Sequence, residues 1–303
     1  MSIRKSTFIR SLSHFGFFRI RGKDAAALLH HLTTNDINSM QPDTSLEAVL
    51  LTNKARCMDI LTIARRGNEF LVITSPNRRD MFLPHARSYI VFRQDVQIEN
   101  INDQIHCIGI FGPDVAAHLP ATPEIGQLVA TTLNNVAVEI LPTQRLPHGG
   151  YFILSCNNVA ETLSLPACDN ETYNILRVEA GLPVAGLEIT EAHNPWEANL
   201  DGMISLHKGC YNGQEIVARL HTYQKVKQHL KGLRLSDAIP SNAQTTLQSN
   251  GKSAGEITST VTSPEFGNIA LAYVRNDATE PLKVLFDNTE ISATVVNLPF
   301  GTS

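Results

Sequence analysis

The residues best suited to chemistry lie between positions 207 and 219. Two glycines bracket Cys210 in the run His-Lys-Gly-Cys-Tyr-Asn-Gly-Gln-Glu at 207–215, which favours a tight, exposed turn and close approach to a ligand. If a helix begins at Gln214, Cys210 lies just before its N-terminus, with Lys208 and His207 nearby. Both surroundings favour the thiolate, so Cys210 is the best candidate for a reactive cysteine. The alternatives are a small residue in a structural turn and, more weakly, a metal ligand, since no second ligand pair stands close by.

Glu197 follows Trp196 in a second polar segment. A carboxylate beside an indole can hold a planar heterocycle by a paired hydrogen-bond contact and by stacking. The alternative is an ordinary surface glutamate, which an isolated glutamate usually is. Both interpretations stay open on these residues alone.

A local run of positive charge contrasts with the net charge of −4 for the whole chain. Between Glu215 and Asp237 there is no acidic residue. The run contains Arg219, His221, Lys225, Lys227, His229, Lys231 and Arg234. Such a stripe can attract a carboxylate-rich ligand tail, a phosphate or RNA, and a solvated strand face explains it equally well.

The composition and length place these residues in a folded chain of two or three domains, or of one large domain with an appendage. The 303 residues are 43% apolar and 18% charged, which excludes general disorder, and the acidic balance argues against a generally basic nucleic-acid-binding protein. Five cysteines without a Cys-x-x-Cys pair exclude a dense disulfide scaffold and the usual zinc ribbons. No stretch approaches the roughly 18 apolar residues that span a bilayer. We therefore expect a cytoplasmic protein, with a mitochondrial address as the weaker alternative because the N-terminus is basic.

The elements that must position these residues indicate an α+β fold. Strand-like runs alternate with helices over the first 140 residues, and helices are expected over 24–35 and after Asn77. A Pro/Gly-rich bend near 142–150 precedes a helix over 170–181, which has a capping residue at its start and a glycine at its end. From Lys231 onward, short strand-like runs predict a small β-barrel or sandwich. We expect a body of two interleaved subdomains over 1–230 and a β domain over 231–303.

The segment Lys208-Gly-Cys-Tyr-Asn-Gly-Gln-Glu215, together with Arg219, resembles the signature of the YgfZ family, folate-binding relatives of the glycine-cleavage T-protein. The resemblance covers essentially the whole chain, and the string Lys-Gly-Cys-Tyr-x-Gly-Gln-Glu is specific. Further matching segments, in family order, are Gly22-x-Asp24, Thr34-Asn-Asp-Ile37, Leu51-Thr-Asn-Lys54, Arg177-x-Glu-Ala-Gly-Leu-Pro183, Pro195-x-Glu-x-Asn-Leu200 and Ser263-Pro-x-x-Gly267.

The resemblance implies a ring of three subdomains around a cavity that holds tetrahydrofolate or a one-carbon derivative, with a C-terminal β-barrel that closes the cavity. It implies that Phe15 and Tyr173 are the two aromatic positions of the folate site, and that Glu197 holds the polar edge of the pterin. Cys210 is then the functional thiol that faces the same cavity. Other motif residues expected to hold folate are Lys208, Tyr211, Gln214 and Arg219, and no metal site is expected.

One position departs from the T-protein, whose aminomethyl transfer relies on a carboxylate at the end of a paired-aspartate turn. The matching stretch is Cys57-Met-Asp-Ile-Leu61, which puts Ile60 at the position of the second aspartate. Isoleucine can neither position a proton nor stabilise a developing ammonium. We therefore expect no glycine-cleavage aminomethyltransferase activity. The alternative is a folate-dependent aminomethyltransferase or demethylase that uses Asp59.

The resemblance also implies a role in the cell. Members of the YgfZ family support the assembly or repair of iron–sulfur enzymes, including tRNA-modifying ones, with folate as a helper. The expected partners are folate and iron–sulfur client proteins, without direct contact to nucleic acid or a membrane, and a classical enzyme is not expected. A nucleic-acid-binding module that uses the basic stripe over 219–234 is the rival from another class.

Overall fold

The computed structural model describes residues 5–240 and 243–302. Its first sheet is antiparallel, and on its central strand Phe152 and Leu154 pack into one core cluster while Ile153 packs into another. This alternation buries both faces of the sheet. The strands, in spatial order, are β1 (Phe8–Ser11), β7 (His106–Phe111), β10 (Gly150–Ser155), β9 (Val136–Thr143) and β8 (Val129–Leu133).

The second sheet is also antiparallel and has one face covered by helices α1 (Ala25–Leu32) and α2 (Arg79–Arg87). Leu28 and Leu32 of α1 and Phe82 of α2 share a core cluster with Ile63 and Val72 of the strands. The expected helices over 24–35 and after position 77 correspond to α1 and α2. The strands, in spatial order, are β3 (Thr44–Leu51), β4 (Cys57–Arg66), β5 (Glu69–Ile73), β2 (Phe17–Arg21) and β6 (Gln97–Asn100).

The C-terminal part of the chain forms a closed six-stranded barrel. Small side chains on its second strand, Ala270 and Ala272, are fully buried, which suits the narrow interior of a small barrel. The expected β domain is therefore present, and its first strand begins at Gln228. In spatial order the strands are β11 (Gln228–Leu235), β14 (Gly267–Arg275), β13 (Lys252–Ser263), β12 (Thr246–Ser249), β15 (Leu282–Phe286) and β16 (Thr289–Val296).

Two helices connect the body with the barrel. Helix α3 (Asn170–Glu179) begins where the Asp169 side chain accepts a hydrogen bond from the Thr172 backbone N–H at 2.7 Å, and a left-handed Gly181 follows its end. Helix α4 (Gln214–Thr222) begins at the residue that the sequence predicts. No helix within 5–240 or 243–302 is long and apolar enough to cross a membrane.

Candidate functional site

A cavity of about 660 Å³ opens where the two sheets of the body meet α3 and the loop that follows it; we call it the central cavity. Its volume is within the range of small-molecule sites, roughly 300–1,000 Å³. The turn between β1 and β2, strand β4, the turn after β5, and helix α3 all contribute to its wall. The lining includes Arg10, His14, Phe15, Ile60, Ser75, Asn77, Arg145, Tyr173, Arg177 and Leu187.

Both aromatic residues expected at the folate site line the central cavity. Phe15 is buried against Phe152, with ring centroids 6.0 Å apart. Tyr173 stands on the first turn of α3, and the Arg10 guanidinium lies 4.1 Å from its ring centroid. Two rings from different elements are thus held by packing on the same cavity, where a planar ligand can contact both.

Arg145 forms part of the cavity wall and was not predicted from the sequence. Its buried guanidinium donates to the Thr62 hydroxyl and the Ile73 carbonyl, both at 3.1 Å, and to the Ser75 hydroxyl at 2.8 Å. Burial lowers its pKa, and the nearby Asp59 carboxylate opposes that effect. A lone arginine beside a Pro/Gly bend carries no local pattern, so only the tertiary structure identifies it.

The central cavity carries an excess of positive charge. Arg10, Arg145 and Arg177 all line it, whereas Glu171 is the only acidic residue of the lining. Burial, followed by the charge of Arg10, lowers the pKa of His14 below its ordinary value. The Arg177 charge is paired with Glu188 at 3.2 Å, and the Arg145 guanidinium is bonded within the wall. Arg10 is therefore the arginine best placed to attract a carboxylate of a ligand.

Asp59 and Ile60, the two candidates for the T-protein carboxylate position, have different surroundings. Ile60 lines the central cavity, and Asp59 does not. The Asp59 carboxylate is fully buried and accepts hydrogen bonds from the backbone N–H groups of Ser75 at 3.1 Å and of Ile60 at 2.8 Å. Burial raises its pKa, and Arg145 opposes this. The cavity wall at this position is therefore apolar.

Glu197 and Trp196 do not line the central cavity. The Glu197 carboxylate is buried and accepts a hydrogen bond from the backbone N–H of Asn194 at 2.9 Å. The Trp196 indole N–H donates to the Val217 carbonyl at 2.9 Å, and its ring stacks on His221. These groups use their polar atoms within the protein, so the heterocycle grip expected for this pair is not what the geometry provides. Trp196 thereby fastens α4 to the chain, and Glu197 holds the turn that begins at Asn194.

Lys208 anchors the motif loop rather than a ligand. Its ammonium donates to the carbonyls of His30 at 2.5 Å, Thr33 at 2.6 Å and Asn35 at 2.8 Å, at the C-terminal end of α1. Burial lowers its pKa to about 7, and the charge of Asp36 acts in the opposite direction. All three N–H donors are occupied, so the expected folate contact of Lys208 is replaced by a structural one.

The other motif residues also lie outside the central cavity lining. Tyr211 is buried with its ring centroid 4.8 Å from the Lys208 nitrogen, and burial raises its pKa to about 12. Gln214 is the first residue of α4, and Arg219 is exposed on that helix. Gly213 precedes α4 with φ of +76°, and a Cβ there would come within 2.9 Å of Ala55 backbone atoms. The loop thus has a fixed conformation.

Cys210 is exposed and unpaired, and it is not part of the central cavity wall. The expectation that it faces the folate cavity is corrected by this placement, because the Lys208 anchor holds the loop against α1. The exposed turn before a helix is present as predicted. Within the described residues, no group of three His, Cys, Asp or Glu side chains could hold a metal ion.

A second cavity of about 1,000 Å³ shares Met203 with the central cavity. Its lining includes Glu47, Thr62, Thr143 and His148. Thr62 accepts a hydrogen bond from Arg145, which lines the central cavity, so this hydrogen bond crosses the wall between the two cavities. None of the ligand-binding residues expected from the sequence lines the second cavity. The central cavity is therefore the better candidate site despite its smaller volume.

Comparison with known proteins identifies the fold. Residues 1–132 match the model of the GCVT N-terminal domain, and residues 228–301 match that of the glycine cleavage T-protein C-terminal barrel domain. A chloroplastic protein of Arabidopsis thaliana, whose name proposes a transferase, is 30% identical over 305 residues, which cover 95% of this chain and 70% of that protein. The chain belongs to the glycine cleavage T-protein family.

A further relative supports this assignment, and a solved structure has the same fold. An aminomethyltransferase of Bacillus subtilis is 26% identical over 326 residues, which cover 99% of this chain and 88% of that enzyme. The crystal structure of the glycine cleavage system aminomethyltransferase T from Bartonella henselae superimposes with a TM-score of 0.84 at 21% identity, over 98% of this chain and 87% of that one. The expected T-protein fold with a C-terminal barrel is thereby confirmed.

Proposed function

We propose that this member of the T-protein family is a tetrahydrofolate-binding protein of the YgfZ type, which supports the assembly or repair of iron–sulfur enzymes, including tRNA-modifying ones. The folate site is the central cavity. The observation that carries the proposal is its wall, which combines two aromatic rings and the Arg10 guanidinium with an apolar Ile60, the residue that the family resemblance assigns to the position of the transfer carboxylate. Such a wall suits binding better than aminomethyl transfer.

The residues present fit tetrahydrofolate or a one-carbon derivative. Phe15 and Tyr173 offer ring faces to a pterin and a benzoyl group, and Arg10 offers charge to a carboxylate. Ser75 and Asn77 supply polar atoms in the same wall. When bound, tetrahydrofolate carries one-carbon groups on its nitrogens. The chain would contribute orientation and shielding from water at this site.

Cys210 enters the proposal as an exposed thiol separate from the folate site. Its position on an exposed turn anchored by Lys208 makes it available to a partner protein. All five cysteines are free, which is in keeping with a reducing compartment such as the cytoplasm. The clients proposed here are iron–sulfur proteins that dock near this thiol.

Anaerobic calorimetric titration with tetrahydrofolate tests the folate site. We expect Tyr173→Ala to weaken binding by about tenfold or more, because an aromatic contact is lost, whereas Tyr173→Phe keeps the ring and stays near wild type. Tyr223→Ala, at an exposed tyrosine outside the cavity, is the matched control. Equal affinity of the wild type and Tyr173→Ala would place folate elsewhere.

Cells that lack the protein test the role in maturation. The readout is the content of thiolated tRNA nucleosides, measured by mass spectrometry after complementation with each variant. We expect Cys210→Ser to restore less than the wild type, and Cys156→Ser, the second exposed free cysteine, to restore fully. Full rescue by Cys210→Ser removes the thiol from the mechanism, and no defect in the deletion strain removes the proposed role.

A second candidate is the transfer chemistry named for the relatives. Aminomethyltransferases cover this chain almost completely, which favours testing for it. Formation of methylene-tetrahydrofolate from an aminomethyl or methylamine donor would support it, and the activity should vanish in Asp59→Asn if that residue provides the carboxylate. The buried, backbone-bonded position of Asp59 argues against this candidate.

A further inference from the structure

The C-terminal end of α4 and the segment that leads into the barrel form an exposed basic surface that the proposed function does not use. We call it the α4 surface and define it by Arg219, Tyr223, Lys225 and Lys227. All four side chains are exposed, and Tyr223 retains 64% of its accessible area. In the sequence, the surface lies between the last helix of the body and the first strand of the barrel.

The structure divides the basic stripe seen in the sequence into separate parts. Lys231 is only half-exposed on β11, and the Arg234 guanidinium lies 5.4 Å from the Phe266 ring centroid and donates to the Phe266 carbonyl. The side chains of these two residues are therefore partly buried or in contact with other groups of the barrel. The concentrated, freely exposed charge is that of the α4 surface.

The three cations of the α4 surface outnumber the acidic residues of the same stretch, of which Glu215, four residues before Arg219 on α4, is the nearest in sequence. In the part of the chain that the structure describes, none of Arg219, Lys225 and Lys227 forms an ion pair. No acidic residue follows in sequence until Asp237. Exposed cations without an ion-pair partner raise the local positive potential, which attracts a polyanion.

Tyr223 places an aromatic ring among these cations. It follows the last turn of α4, four residues after Arg219, so both stand on the same face of the helix. The Lys225 nitrogen lies 5.4 Å from the centroid of the ring. A ring that is free on its outer face and flanked by cations can stack on a nucleic-acid base while the cations contact phosphates.

The surroundings of the ring favour single-stranded nucleic acid over an acidic protein. Five other large apolar side chains are strongly exposed in the described residues, and all lie on other segments of the chain: Val91, Phe92, Ile125, Leu187 and Leu206. The α4 surface therefore has no apolar patch that could form the core of a protein interface. A single ring with separate cations is the arrangement that stacking and phosphate contacts require.

We propose that the α4 surface binds single-stranded RNA, with Arg219, Lys225 and Lys227 on phosphates and Tyr223 stacked on an unpaired base. The contact is electrostatic and tolerant of sequence, since no base-edge reader is part of the surface. This revises the expectation that the protein makes no direct contact with nucleic acid. It is independent of folate binding in the central cavity.

Fluorescence anisotropy of a labelled twelve-nucleotide oligouridine, titrated with the full chain at several salt concentrations, tests the proposal. For three phosphate contacts we expect a slope of log affinity against log salt of about −2, because each contact on a single strand contributes about −0.7. Lys225→Gln combined with Lys227→Gln should reduce the slope to about −0.7. Tyr223→Ala should weaken binding by about 5- to 100-fold and Tyr223→Phe should not, because stacking needs only the ring.

Matched controls separate this surface from general charge. Lys23→Gln combined with Arg93→Gln removes the same charge from exposed loops of the body and should leave binding unchanged. Circular dichroism melting verifies that every variant is folded. The proposal is overturned if the wild type shows no binding at low salt, or if control and surface variants lose affinity equally. The proposal also fails if a polyglutamate peptide or duplex DNA competes for the protein as well as RNA does, and if the affinity of that competitor is unchanged by Tyr223→Ala.

Discussion

Asp59 and Ile60 are neighbours on β4, and their side chains lie on opposite sides of the strand because successive residues of a strand point to different sides. Ile60 contributes to the wall of the central cavity, whereas the Asp59 carboxylate is enclosed and bonded to the backbone of Ser75. The sequence could name both residues as candidates for one position. The family resemblance assigned Ile60 to that position and kept Asp59 as the alternative, because the sequence does not show which side of β4 faces the cavity.

Replacing Asp59 by asparagine should cost stability. The carboxylate accepts hydrogen bonds from two backbone N–H groups and lies near the buried Arg145. An amide has only one acceptor oxygen and no charge, so it cannot accept the second hydrogen bond or balance the charge of Arg145. We expect a loss of about 1–3 kcal/mol in the free energy of unfolding, measured by urea titration. Asp103→Asn, at an exposed carboxylate, should change it by less than about 0.5 kcal/mol. Unchanged stability in Asp59→Asn would contradict a structural role.

Lys208→Met tests the anchor of the motif loop. Methionine fills much of the same space but leaves three carbonyls at the end of α1 without a donor, so we expect destabilisation by about 3 kcal/mol. Hydrogen exchange of residues 207–212 should accelerate with it. Lys227→Met, at an exposed lysine, is the control. Weaker folate binding with an unaltered loop would instead restore Lys208 as a ligand.

At the scale of elements, α3 connects the site with the rest of the molecule. Its first turn presents Tyr173 to the central cavity, and its last turn carries Arg177, which both lines the cavity and reaches the barrel. The Asp169 cap fixes where this helix starts. The position of the cap therefore determines the position of the aromatic ring.

Removal of the cap should disturb the site as well as the helix. We expect Asp169→Ala to lower the free energy of unfolding, because the hydrogen bond to the Thr172 N–H is lost. Tetrahydrofolate binding should weaken with it, since Tyr173 follows within one turn. Asp169→Asn, which can still cap, should preserve both properties in thermal melting and calorimetry. A folate affinity that is equal in all three proteins would disconnect α3 from the site.

Elements with local signals could be predicted from the sequence, and contacts between distant segments could not. Capping and glycine patterns indicate α3 and α4, and short strand-like runs indicate the barrel, because those signals lie within a few residues. The aromatic positions Phe15 and Tyr173 came from the family resemblance. The Arg145 wall and the Lys208 anchor depend on partners 70 or more residues away, and no local pattern encodes them.

At the scale of the whole molecule, a buried polar junction joins α3 to the barrel. Arg177 pairs with Glu188 at 3.2 Å and donates to Ser259 of β13 at 2.6 Å, while the Tyr273 hydroxyl of β14 donates to the Glu188 carbonyl at 2.8 Å. His193 stacks on Tyr273 with centroids 3.5 Å apart. Since these groups satisfy one another away from water, the junction is specific but sensitive to changes in charge.

Acid should loosen this junction through His193. Burial, with a smaller effect of Arg56, lowers its pKa to about 4 from an ordinary 6.5. The unfolded chain therefore binds a proton at a pH where the folded chain does not. The contribution of His193 to the free energy of unfolding is complete above about pH 6.5, and up to roughly 3 kcal/mol of it is lost as the pH approaches 4.

Urea midpoints measured between about pH 7.5 and 4.5 check this expectation. His193→Phe retains a ring against Tyr273 and should flatten the pH dependence, because the titrating group is gone. His207→Gln, at an exposed histidine, should follow the wild type. Parallel curves for the wild type and His193→Phe would assign the acid sensitivity to other groups.

Arg177 belongs to the cavity wall and to the barrel junction at the same time, and this links ligand affinity to domain cohesion. If docking of the barrel strengthens ligand binding in the cavity, a bound ligand strengthens docking of the barrel by the same free energy, because thermodynamic coupling is reciprocal. A ligand should therefore raise the melting temperature of the body and the barrel together. With ligand bound, we expect the body and the barrel to unfold in a single transition. The melting temperature of the whole chain then reports whether the small cavity is occupied.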